Sequence, residues 1–176
     1  MTSISKVVCL VLALSLLSTV SAQRRRDPLN PNEADQLRDA AQEPAARLKL
    51  YIVFARTRLA SLEQVRADPK ITDRAQQIHD RLQDFLDVYD EMNDNIDTFV
   101  ERKSDLRKPL KAIVEADTEF QAKLRALKSS RDAGKAEASQ YDFVLTNVLE
   151  TIDASSQDHG QLLKKQEEEG GGSKKK

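Results

Sequence analysis

The sequence predicts an all-α protein, an elongated up-down four-helix bundle, and three observations lead there. Apolar residues recur at three- and four-residue steps along most of the chain. Glycine and proline number only five each, and most fall where those segments would end. No alternating β-branched stretch reaches strand length, so no strand is expected.

Residues 1–22 read as an export signal. Lys6 supplies a thin positive start, Val7 to Leu17 is an apolar run, and Val20-Ser21-Ala22 offers the small residues that signal peptidase needs, with cleavage between Ala22 and Gln23. The run is about half the ~20 residues a spanning helix requires. A periplasmic or extracellular protein is therefore expected. Arg24 to Arg26 directly after the site run against the usual placement of positive charge before the apolar run, and an uncleaved anchor is the alternative. Cys9 lies in the discarded segment, so the mature chain is cysteine-free. That excludes disulfides, thiol nucleophiles and thiolate metal sites.

Residues 23–31 are expected to form an irregular basic lead-in, residues 32–166 the helical bundle, and residues 167–176 a disordered Gly/Lys-rich tail. The first helical segment runs from about Asn32 to Arg66, striped by Leu48, Ile52, Ala55, Leu59 and Leu62, with Pro44 kinking or restarting it. A turn at Ala67 to Lys70 leads to the second, about Ile71 to Lys103, with Thr72 or Asp73 available for capping. The third spans about Asp105 to Arg131, provided Pro109 lies in its first turn. After Gly134 the fourth spans about Lys135 to Lys165. Such segments make rods on the order of 40 to 50 Å, and short connections make successive rods antiparallel.

The second segment has the cleanest pattern. Ile71, Ala75, Ile78, Leu82, Phe85, Tyr89, Met92, Ile96 and Phe99 alternate steps of four and three, as heptad a and d positions do. Leu86, Val88 and Val100 widen that face beyond the seam of a two-stranded coil, which favours a bundle. The same phase continues through Leu106, Leu110, Ile113, Phe120, Leu124 and Leu127, then through Tyr141, Leu145, Val148 and Ile152. A long helical hairpin or coiled coil is therefore the rival architecture. Pro109 and the Arg131 to Gly134 interruption argue against it.

Charge is unevenly spread. The net charge of −1 hides an acidic body between basic ends at Arg24 to Arg26 and Lys174 to Lys176. His79 to Glu101 carries eight carboxylates and one arginine. Asp80, Asp84, Asp87, Glu91, Asp94 and Glu101 each follow an apolar seam position by two residues, about 200° around the helix, and so point outward. Asp90 and Asp97 flank them. The stripe is read as a solvated helix face, and functionally as a docking surface for a basic partner or for loosely bound cations. A tight metal site is not expected, because calcium needs six to eight converging oxygens and a straight helix presents few to any one point.

Enzyme parts are missing: the chain has two histidines, no mature cysteine, no glycine-rich phosphate loop and no Glu-x-x-His pair. One cofactor reading survives, with Met92 and His159 on seams of parallel helices at similar heights, as in four-helix haem proteins. Asp117 is expected to intrude on the core. No cofactor is assigned. The expected function is that of an exported, non-enzymatic bundle acting as a binding, structural or holdase-like surface, with haem-binding electron transfer through Met92 and His159 as the alternative. The basic ends would give weak, salt-sensitive contact with anionic polymers or membrane surfaces, without specific nucleic-acid binding.

Overall fold

In a computed structural model, which describes residues 27–130 and 134–172, the described residues form six helices: α1 Pro31–Asp39, α2 Pro44–Ala67, α3 Arg74–Glu101, α4 Arg107–Ser129, α5 Lys135–Ala138 and α6 Asp142–Gly172. α2, α3, α4 and α6 make the bundle. α2 packs antiparallel to α3, and α4 antiparallel to α6. The two hairpins meet with α2 beside α4 and α3 beside α6. Consecutive α3 and α4 therefore face each other across the centre, where Phe85 and Phe120 meet edge to face at 5.3 Å.

The breaks have local causes. Pro44 restarts the first segment as α2, so α1 becomes a separate short helix. Asn30 and Glu33 form a reciprocal capping box at its start, and Pro31 sits in its first turn. Asp73 is the residue before α3, but its carboxylate accepts from the Gln77 side chain rather than from a backbone N–H. At the end of α3 the Ser104 amide donates to Phe99 and the Lys103 amide to Val100, a Schellman turn with Lys103 at φ 56°. Leu106 then opens α4, its amide satisfied by the Gln166 side chain. Pro109 is buried in the first turn, where its missing N–H costs nothing.

Two expected boundaries need correction. The fourth segment is not continuous: α5 is a single turn, and Ser139 to Tyr141 break it from α6. The tail expected to be disordered from residue 167 is helical through Gly172. Tertiary contacts draw it down, since Lys111 pairs with Glu167 at 2.8 Å and Gly170 leaves room for the Arg107 guanidinium, which a Cβ would strike. Residues 173–176, the signal reading at 1–22 with its Ala22/Gln23 cleavage, and most of the basic lead-in lie outside the described residues.

The core follows the seams. Leu82, Phe85, Tyr89 and Met92 of α3 are buried with Leu48, Ile52, Leu59 and Leu62 of α2, Leu110, Ile113 and Leu124 of α4, and Leu145, Val148 and Ile152 of α6. Leu86 and Val88 join them, while Val100 stays at the surface. The break at 102–106 separates α3 from α4, α4 ends at Ser129 and α6 packs back antiparallel on it, so the bundle forms in place of the long coiled coil.

Candidate functional site

The acidic stripe of α3 divides into two halves. Asp80 accepts from Gln76, with His79 at 3.3 Å, Asp84 pairs with Arg81 at 2.9 Å, and Asp87 accepts from Gln83 at 2.8 Å. These carboxylates and Glu91 are half-buried, and the Asp84 side chain is only 18 % exposed. Donors one turn away on the same helix engage this first half of the expected outward face. Asp94 and Glu101, with neighbouring Asp97, are exposed. After Arg81 no basic residue occurs on α3, so Asp94 and Asp97 have no cation on their own helix, while exposed Arg102 and Lys103 follow Glu101 at its end.

Met92 and His159 are both buried, as the heptad count requires, but His159 is engaged elsewhere. Its Nδ1 lies 2.8 Å from Oδ2 of Asp117, whose Oδ1 accepts from the Tyr89 hydroxyl at 2.8 Å. Asp117 is 1 % and His159 4 % exposed. Three helices thus contribute to one buried polar chain, and the rings of Tyr89 and His159 lie 6.4 Å apart. Burial, reinforced by the adjacent Asp117 carboxylate, pushes the Tyr89 phenol well above the ordinary tyrosine range. Beside the chain, the Asn93 amide donates to Ser155 at 3.0 Å, while its Oδ1 finds no protein partner. Aromatic rings fill this layer: Phe85 stacks on Tyr89 at 5.9 Å, and Phe120 stands edge-on to both. The haem reading of Met92 and His159 is therefore not carried further. The grooves at the bundle ends and between α2 and α4 are lined by other residues.

A third constellation joins α1 to the bundle. Arg58 grips Glu33 through two hydrogen bonds of 2.7 and 2.6 Å and also donates to the Pro28 carbonyl at 2.9 Å. Burial pushes the Glu33 carboxyl upward, but the Arg58 hydrogen bonds and the Asn30 amide outweigh it, so the group titrates below the usual glutamate range. Arg47 donates to the Leu37 carbonyl and to Asn95 Oδ1, and its guanidinium lies 5.9 Å from the Tyr51 ring centroid. Sequence reasoning missed this arrangement. Its available signal was a pair of arginines, Arg47 and Arg58, on the same α2 face as Tyr51 and Phe54.

Comparison with known proteins finds no matching protein family, curated protein or solved structure. Among the described residues no helix is long and apolar enough to cross a membrane.

Proposed function

We propose that the protein is an exported, non-catalytic helical bundle that works as a binding or structural surface, docking a basic partner on the second half of α3. The observation that carries this reading is the charge imbalance there. Asp94, Asp97 and Glu101 stand exposed on a helix with no basic residue after Arg81. Carboxylates so placed attract a complementary basic surface from a distance and weaken in salt, which suits recognition better than stability. The core supports the same reading, since its buried polar side chains are bonded mainly to one another and leave its acid and imidazole out of reach of a substrate.

The test replaces Asp94 and Asp97 with Asn and Glu101 with Gln in one variant. Its circular dichroism and unfolding midpoint should match the wild type, because exposed charges contribute little to stability. Affinity capture from the native exported fraction should then lose a basic protein that the wild type retains at low salt and releases at high salt. Equal recovery by both proteins would reduce the stripe to a solubility feature.

A further inference from the structure

Arg47 and Arg58 lie three turns apart on one face of α2, about 16 Å at the helical rise, with Tyr51 and Phe54 between them. α1 is nine residues long, about 13 Å, and lies antiparallel along that face. Its first turn is held at Arg58, through the Glu33 carboxylate and the Pro28 carbonyl. Its last turn is held at Arg47, which donates to the Leu37 carbonyl, one of the carbonyls left unpaired at a helix end. Between the two clamps Leu37 enters the apolar core. The face reads a short helix by both ends and one leucine.

α1 is also more easily given up than any of the four bundle helices. Nine residues are too few for a stable isolated helix. It is joined by a four-residue link, and its closest approach is to α2, whereas the bundle helices share a continuous core. Segments with few buried apolar contacts open at lower free energy than the core. Opening leaves behind a formed surface: Arg58 in the electrostatic field of Asp84, and Arg47 fixed by Asn95, which also donates to the Tyr51 hydroxyl.

We infer that this α2 face is a docking site for a short acidic amphipathic helix of a partner protein, and that α1 occupies it in cis as a displaceable strap. The partner helix carries a glutamate one turn before a leucine, as Glu33 and Leu37 stand in α1. The site borders the acidic half of α3 through Asn95 but uses none of its exposed carboxylates, so its fate does not depend on a partner docking there.

The test uses the full chain and a fluorescent peptide of residues 27–42. In hydrogen exchange, the α1 amides should open at least about tenfold more often than those of α3. Glu33→Gln should raise α1 opening by about a further tenfold, as expected for loss of a charge-assisted hydrogen bond, and leave α3 and α6 unchanged. Fluorescence anisotropy should show the peptide binding the Glu33→Gln chain more tightly than the wild type by the same factor, because the open site is more populated. A peptide with glutamine in place of its glutamate should bind about tenfold more weakly. Exchange of α1 in step with α3 would overturn the strap. Peptide binding indifferent to the glutamate would overturn the clamp. A dimer that persists on dilution and excludes the peptide would show that α1 is traded between copies, which also overturns a partner helix.

Discussion

His159 on α6 and Asp117 on α4 meet at 2.8 Å in the middle of the bundle, at seam positions that would otherwise be apolar. Removing Asp117 leaves His159 buried without its partner and takes away the acceptor of the Tyr89 hydroxyl. Asp117→Ala should therefore cost about 3 to 5 kcal/mol. Replacing Tyr89, Asp117 and His159 together by Phe, Leu and Leu should recover much of that loss. Urea unfolding of the two variants against the wild type checks both statements, and a triple variant no better than Asp117→Ala would contradict the second.

Lys103 holds a left-handed backbone, φ 56°, at the turn that ends α3. A side chain is disfavoured there and glycine is not. Lys103→Gly should raise the unfolding free energy by about 1 kcal/mol, and Lys103→Val should lower it. A destabilised glycine variant would mean that the Lys103 side chain does something the turn geometry does not reveal.

Two apolar substitutions should behave oppositely. Leu82 is fully buried in the core, and Leu82→Ala should cost about 2 to 5 kcal/mol. Phe143, at the start of α6, is 86 % exposed, and Phe143→Ser should shift the midpoint hardly at all. Thermal unfolding of the pair is a direct check on which face of each helix is buried.

The Glu33 carboxyl titrates below its ordinary value of 4.5, so the folded state binds its proton less readily than the unfolded chain does. Its contribution is complete above the unfolded value and is lost as pH falls through the folded one. Wild type should thus be more stable than Glu33→Gln at pH 7, and the two should converge as pH drops below about 4.5. Urea midpoints measured between pH 3 and 7 read this out; a gap that widens in acid would reverse the sign and remove Arg58 as the cause.

Much of the fold was legible because heptad spacing is a local signal. Ile78, Leu82, Phe85, Tyr89 and Met92 sit where the spacing puts them, Pro44 opens α2, where a missing N–H is tolerated, and Pro69 follows its end. The continuation of α6 to Gly172 was hidden, since its causes, Glu167 on Lys111 and Gly170 against Arg107, are contacts across some 60 residues. The site was half legible. Asp117 and His159 each stand out as a polar interruption of an apolar stripe, yet His159 was matched with Met92 by height along parallel helices. The better guide was chemistry: two buried groups of opposite kind on facing antiparallel helices satisfy each other, and a thioether satisfies neither. The division of the acidic stripe turned on Gln76, Arg81 and Gln83, one turn from their carboxylates and readable in principle.

A heptad seam repeats, and repetition is ambiguous: slid by seven residues, α4 and α6 would still set leucines against valines. The Asp117–His159 contact removes that freedom. Any slipped alignment buries the Asp117 carboxyl against hydrocarbon without its hydrogen-bond partners, at a cost of about 1 to 3 kcal/mol, and the observed register satisfies both groups and the Tyr89 hydroxyl on the third helix. The polar trio thus acts as a key cut into an otherwise smooth interface, selecting one pairing of the two hairpins among several that apolar burial alone would accept.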